Sequence, residues 1–371
     1  MFEQVKKIDI ILTSAVCLLC TVSLLLLYGI STAVPGTETS FFARQSLYIA
    51  TGGIAMLIVA NINPEYFRHY SKTIYFTTIA ILIGVLIFGT TVRGTSGWIS
   101  FGGFNVQPVE FAKIALIIFL ASFIAKKQTE LREVVRIIVS FALTAIMIFF
   151  VLRQPDFGSA MVLLGIWLGM IFVSGVNKKY LAAILIGFVC CAVIGWALLA
   201  DYQKTRVMTF LDPSQDPRGG GYNVIQAMIA VGSGGITGNG IGQGTQSQLN
   251  FLPEKHTDFI FATLTEETGL IGATFVIGLF TTILYRIRKA AMKARNNFDY
   301  LVAAGVMIML FWQIGINIGM NIGIVPVTGI PLPLMSYGGS SILATFLGLG
   351  IVMSIFRTGK KDTAIVAGES Y

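Results

Sequence analysis

Charged side chains are scarce in this chain: they make up 12% of its 371 residues, against about 25% in soluble globular domains. With 55% of the residues hydrophobic, that density cannot cover a water-facing surface, and a polytopic membrane protein is expected instead. Histidine is reduced to His69 and His256, and cysteine to Cys17, Cys20, Cys190 and Cys191. All four cysteines fall inside apolar runs and the two histidines on opposite sides of the expected membrane, so no zinc site can be assembled. Cys17-x-x-Cys20 lies within an apolar helix and reads as two small packing residues, not a redox pair. No Pro/Ser linker or soluble-sized polar block interrupts the apolar runs, and residues 1–371 are read as a single integral domain.

What the chain has in abundance is apolar length. Runs able to cross about 30 Å of hydrocarbon occur near residues 8–30, 45–62, 73–92, 109–125, 134–152, 159–176, 180–200, 261–285, 300–320 and 337–356. The first exceeds the core of a signal peptide and is read as retained. With both termini in the cytoplasm, eighteen of the 26 Lys and Arg residues fall on inner segments and seven outside, while Lys113 lies within a span. That positive-inside bias accounts for the net charge of +8, and no nucleic-acid partner is expected. The expected fold is all-α, with ten transmembrane helices, both termini cytoplasmic and one long outer loop, residues 201–260, between the seventh and eighth.

That loop holds ten glycines between Gly219 and Gly244, and its apolar islands at Val224, Ile225, Met228 and Ile229 argue for lying on the membrane surface. Gly238, Gly240, Gly242 and Gly244 could be mistaken for a phosphate cradle. No strand is expected before them, no G-K-[ST] follows and no ribose-binding acid lies downstream, so nucleotide binding is the poorer reading.

Polar residues in or near hydrocarbon carry the chemical information, because an ionised side chain at mid-membrane costs about 2.5–3.5 kcal/mol. In "FNVQPVEFAK" Glu110 and Lys113 share a helix face three residues apart, either as a local ion pair or as part of a site. In "RQPDFGSA" Asp156 stands at a natural N-cap, which does not exclude ion or pyrophosphate contacts through Arg153. In "EKHTDFIFATLTEETGLIGA" Asp258 stands where the eighth span begins, again a natural cap. Glu254, Lys255, His256, Glu266 and Glu267 crowd around it, beneath a glycine-rich loop able to close over a substrate. A helix needs one cap, so the surplus favours a site.

These segments, together with "LDPSQDPRGGGYNVIQ", "GTQSQLNFLPEKHTDF" and "GIPLPLMSYGGSS", closely resemble the SEDS family (shape, elongation, division and sporulation), over residues 8 to 357. Within it, "GTQSQLNFLPE" is nearer to the elongation branch than to division or sporulation. The resemblance implies a peptidoglycan glycosyltransferase in the cytoplasmic membrane. Its expected reaction is polymerisation of lipid II at the outer face, growing a glycan linked to undecaprenyl pyrophosphate. It implies that Asp258 is the catalytic acid residue and that Glu110 and Lys113 are the buried pair. Asp156, His256, Arg93, Arg206, Arg218, Tyr222, Gln226 and Ser336 are carried as substrate-binding or supporting residues.

The leaving pyrophosphate would be met by Arg93, Arg206, Arg218, Lys113 or a divalent cation, Mg or Mn; no other cofactor is expected and any metal ligands are unassigned. The chain departs from many relatives at Ala227-Met228, where they carry Ser-Lys. No Ser is followed three residues later by Lys, so the S-x-x-K nucleophile of transpeptidases is absent. Cross-linking would come from a class B penicillin-binding transpeptidase, with other elongation-complex membrane proteins as further partners. The competing class is a lipid II flippase; the polar residues cluster toward the outer face and no repeated halves stand out, which weighs against alternating access.

Overall fold

The structure, a computed structural model, describes residues 9–32, 40–92, 94–101, 104–127, 132–195, 204, 208–212 and 220–359. Among the described residues the elements used below are, in chain order, α1 (Ile10–Thr32), α2 (Ser40–Ala60), α3 (Pro64–His69), α4 (Ser71–Phe88), β1 (Thr90–Val92), β2 (Thr95–Phe101), β3 (Phe104–Val106), α5 (Pro108–Lys127), α6 (Glu133–Arg153), α7 (Phe157–Val173), α8 (Lys178–Gly195), α9 (Gly220–Ser233), α10 (Thr245–Gln248), α11 (Ile260–Met292), α12 (Asn297–Asn321) and α13 (Gly339–Thr358).

Among the described residues, eight helices are long and apolar enough to cross a membrane: α1, α2, α4, α5, α6, α11, α12 and α13. Between α6 and α11, α7 is a shorter apolar helix of 17 residues, and α8, of 18 residues, covers the expected seventh run from 180 to 195. α5, α12 and α13 are the most buried of the spans. They form the bundle's centre, with α12 against α5 and α7, and α13 against α2. Small residues permit the close crossings. A side chain at Gly165 of α7 would collide with the Trp312 indole of α12, and one at Gly305 of α12 with Ile117 of α5.

Two expectations are corrected. The fold is not purely α-helical, because residues 90–106 form a three-stranded antiparallel sheet, order β1-β2-β3. Thr90 pairs with Trp98 and Ile99 with Val106. The span expected to reach residue 92 ends at Phe88, where Gly89 turns to extended backbone; the β-branched Thr90, Thr91 and Val92 then suit a strand. Secondly, the long loop expected outside, residues 201–260, is partly helical. Its apolar islands lie on α9, which buries Val224, Ala227 and Ala230 and leaves Met228 and Ile229 exposed. The island pattern was a helical face.

α11 is broken. Gly269 has φ 64° and ψ −163° inside it, a conformation that side-chain-bearing residues avoid. The N–H groups of Leu270 and Ile271 donate to the carbonyls of Gly235 and Ile236, at 2.9 and 3.2 Å. In return, Asn239 and Gly240 donate to the carbonyls of Glu266 and Glu267, each at 3.0 Å. The glycine-rich segment 235–240 is therefore clamped into the helix break.

Candidate active site

A cavity of about 430 Å³ opens where segments far apart in sequence meet. β2 contributes Thr95 and Trp98, and the starts of α5 and α7 contribute Gln107, Asp156 and Phe157. Thr209 and Phe210 come from the short helical stretch 208–211, and Asn223 and Val224 from α9. Thr257 and Asp258 come from the turn before α11, and the rest of the wall from residues 327–341, including Tyr337, Ser340 and Ser341.

Asp258 sits in a backbone held from several sides. Asn317 and Asn321, one helical turn apart on α12, each donate a side-chain amide to the Asp258 carbonyl at 3.0 Å. Asn321 also accepts from the Ala262 N–H at 2.9 Å. Ser336 Oγ donates to the Thr257 carbonyl at 2.6 Å and accepts from the Leu332 N–H at 2.8 Å. The Tyr337 N–H donates to the His256 carbonyl at 2.8 Å. Each such bond contributes about 1 kcal/mol net, and together they fix the main chain at residues 256–258. The expected cap role for Asp258 is not what the geometry shows. The N-cap of α11 is Phe259, which receives no side-chain bond. The carboxylate lines the cavity instead, and a Cβ on Gly329, itself at φ 73°, would stand 3.6 Å from Asp258 Oδ2.

Asp156 is the cap foreseen for it, and it makes a second contact besides. One carboxylate oxygen caps α7 by accepting from the Ser159 N–H at 2.9 Å, and the other accepts from Gln107 Nε2 at 3.1 Å. Gln107 is fixed in turn, its N–H donating to Ser340 Oγ at 2.8 Å. The cavity therefore has two acidic residues, several neutral polar groups and four partly exposed aromatic rings, Trp98, Phe157, Phe210 and Tyr337. Among the described lining residues there is no Lys or Arg.

The other expected residues lie elsewhere. Glu110 and Lys113 form an ion pair at 2.7 Å, with side chains 3% and 0% exposed in α5, and neither lines the cavity. His256 packs against the rings of Phe41 at 4.6 Å and Tyr337 at 5.8 Å, and its Nε2 lies 4.0 Å from Glu254. Tyr222 and Gln226 are half-buried on α9, where their neighbours Asn223 and Val224 reach the cavity. Ser336 is buried and acts on backbone. Arg93, Arg206 and Arg218 lie outside the described residues.

The acidic surplus is absorbed by local structure. Glu266, fully buried, accepts from the N–H groups of Gln246 at 2.7 Å and Ser247 at 3.0 Å, which makes it the anionic cap of α10. Gln248 Nε2 donates to Glu267 at 3.3 Å. Lys255 donates to the Ser247 carbonyl and to Asn250 Oδ1. Burial pushes its ammonium below the usual lysine range, and the nearby charges of Glu267 and Glu266 oppose that shift.

Residues 9–361 match the model of the FtsW/RodA/SpoVE family of cell cycle proteins. The chain belongs to that family. It is 38% identical over 324 residues, 86% of each chain, to "Peptidoglycan glycosyltransferase MrdB" of Escherichia coli strain K12. Its fold is similar to a chain from a structure of a peptidoglycan synthase complex that coordinates polymerization and crosslinking, with TM-score 0.78, 29% identity and coverage of 94% of this chain and 98% of that one. It is similar also to the rod shape determining protein RodA of Thermus thermophilus, with TM-score 0.71, 25% identity and coverage of 96% and 98%. As an FtsW/RodA/SpoVE protein it is a multi-pass membrane protein.

In this family member, sequence reasoning passed over Gln107, Asn317, Asn321 and the sheet-borne Thr95 and Trp98. Gln313, Asn317 and Asn321 recur every four residues within an apolar span, a polar stripe that was available as a signal. The sheet was signalled by alternation in "TSGWISF" between two Gly-containing turns.

Proposed function

We infer that this chain is a peptidoglycan glycosyltransferase. It polymerises lipid II into β-1,4-linked glycan strands at the outer face of the cytoplasmic membrane during cell elongation. The observation that carries the reading is Asp258: its carboxylate lines the cavity on a main chain held by four hydrogen bonds at residues 256–258. Such preorganisation suits a group that moves a proton at a defined atom.

Asp258 takes the proton from the acceptor sugar's 4-hydroxyl as that oxygen attacks C1 of the donor. The new C1–O4 bond forms as the bond from C1 to the pyrophosphate oxygen breaks, and undecaprenyl pyrophosphate leaves with the electron pair. One inversion at C1 needs one base, so a second catalytic carboxylate is not required. The four aromatic rings suit stacking against the C–H faces of a sugar, and Asp156, Gln107 and the Ser and Thr hydroxyls suit its hydroxyl groups. The charged groups of the described lining offer oxygen donors only, the type that Mg or Mn accepts. Among the described residues no group of three His, Cys, Asp or Glu converges on one point. Asp156 would therefore hold such an ion with positions left for phosphate oxygens, and the ion would neutralise leaving-group charge. Arg93, Arg206 and Arg218 are the alternative counter-charges; Glu110 and Lys113 support α5 from within the bundle.

The proposed topology has ten spans, both termini in the cytoplasm and residues 201–260 outside, all in one domain. A class B penicillin-binding transpeptidase is the proposed partner. Purified protein in detergent with labelled lipid II tests the activity: glycan strands should form, and more should form when the transpeptidase is added. Polymer formed there cannot come from a flippase, because detergent removes every compartment that transport needs; no polymer in detergent together with transport of lipid II across reconstituted vesicles would reject the reading in favour of a flippase.

A further inference from the structure

Residues 219–253 contain no Asp, Glu, Lys, Arg or His, whereas about a quarter of residues in a water-exposed domain are charged. Within that stretch the segment 234–244 leaves Ile236 and Ile241 exposed, at 69% and 50%. Its main-chain groups are engaged with α11 on both sides of the break at Gly269, through Gly235, Ile236, Asn239 and Gly240. The fit is close: a Cβ on Gly238 would fall 2.2 Å from the Glu267 carbonyl. Irregular backbone survives at membrane depth only where neighbouring protein pairs its polar groups, and α11 pairs those of Gly235, Ile236, Asn239 and Gly240.

Its exposed face continues a lipid-facing one. Ile236 is bonded through its carbonyl to Ile271, and Leu270 and Ile271 are 63% and 62% exposed on a membrane span that goes on to expose Phe275. On the other side Ile241 and Gly242 abut Gly29 of α1, next to the exposed Tyr28. The segment thus bridges the outward faces of two spans with the apolar side chains of Ile236 and Ile241 beside the exposed but uncharged Thr237, Asn239 and Gln243.

We propose that segment 234–244 is a lipid-immersed wedge, seated among the acyl chains of the bilayer between α1 and α11. Its assignment to the outer leaflet rests on the topology proposed above, whereas its immersion does not. The wedge explains why α11 breaks there, and it gives the glycine run a task other than covering a substrate: neutral, tightly turned backbone that fits between helices.

In a cysteine-free background, single cysteines replacing Ile236 and Ile241 are labelled with an environment-sensitive fluorophore, and the protein is placed in phosphatidylcholine nanodiscs. Labels at Phe275 and Lys179 serve as lipid and water references. Doxyl groups near the headgroup end of the acyl chain should quench the Ile236 and Ile241 labels as they quench the Phe275 label, and aqueous iodide should not. Iodide quenching like that of the Lys179 label would overturn the proposal. Labelling of a cysteine at Leu249, outside the wedge and 64% exposed, by a membrane-impermeant thiol reagent in intact cells reads orientation separately. Protection there, with lipid quenching intact, would refute the outward topology and leave the wedge standing.

Discussion

Asp258 and Glu266 lie eight residues apart, one just before α11 and one inside its first half, yet the structure uses them in opposite ways. Glu266 accepts from the amides of Gln246 and Ser247 and is fully buried. Asp258 has its carbonyl engaged by Asn317 and Asn321 while its carboxylate lines a cavity. Glu266 is tied into the fold through its own carboxylate oxygens, whereas the bonds from Asn317 and Asn321 hold Asp258 by its main chain at the wall of the cavity. The number of acids near a helix start does not distinguish the two, and the donors around each one do.

The largest expected effect concerns Asp258→Asn. The substitution keeps shape and leaves the Asn317 and Asn321 bonds in place, since these reach the main chain. Polymerisation of lipid II should fall by roughly 10²–10⁴-fold, the contribution of a positioned general base, with unchanged melting and unchanged lipid II binding. Near-normal strand formation by the folded variant would return Asp258 to a structural role.

Next comes the buried pair of α5. Lys113→Met or Glu110→Gln leaves one charge unpartnered among apolar neighbours, which costs about 3–5 kcal/mol. The yield of folded protein should drop with activity, and the double variant should recover part of the yield. If a single variant melted like the parent while losing all turnover, the pair would belong to the chemistry instead.

Glu266→Gln should sit below both. Weakening the anionic cap of α10 is expected to lower stability by about 1–3 kcal/mol, read as a lower melting temperature. Turnover per folded molecule should be largely kept. A catalytic loss as deep as that of Asp258→Asn would erase the contrast drawn between the two acids.

The smallest stability effect is expected at Asp156. Asn and Asp rank almost equally as N-caps, so Asp156→Asn should change stability by less than about 0.5 kcal/mol. A fall in polymerisation there, relieved by raising the magnesium or manganese concentration, would sharpen Asp156 as the cation-holding member of the cavity.

Much of this was legible without coordinates. The low charge, the apolar runs and the distribution of Lys and Arg pointed to a multi-pass bundle because hydrocarbon excludes charge whatever the tertiary contacts. Asp156 was recognisable as a cap because capping is local, spanning three residues. The strands at 90–106 were missed because a span-length apolar run ran into them and masked their alternation. The helix α9 was missed because glycines on both sides made its apolar face look like isolated islands.

By itself, the sequence determined the membrane class, the family and the identity of the acid that the proposed chemistry turns on, since these rest on composition and on short motifs. Only the tertiary structure decided which acids are consumed as caps, that Glu110 and Lys113 lie away from the cavity, and that Gln107, Trp98 and Phe210 share a wall with Asp258. The reason is distance along the chain. Asp156 and Asp258 reach one cavity from different helices, and the amides that hold Asp258 come from α12, some sixty residues further on. Nothing in a local pattern encodes which donors such long-range packing brings to each oxygen.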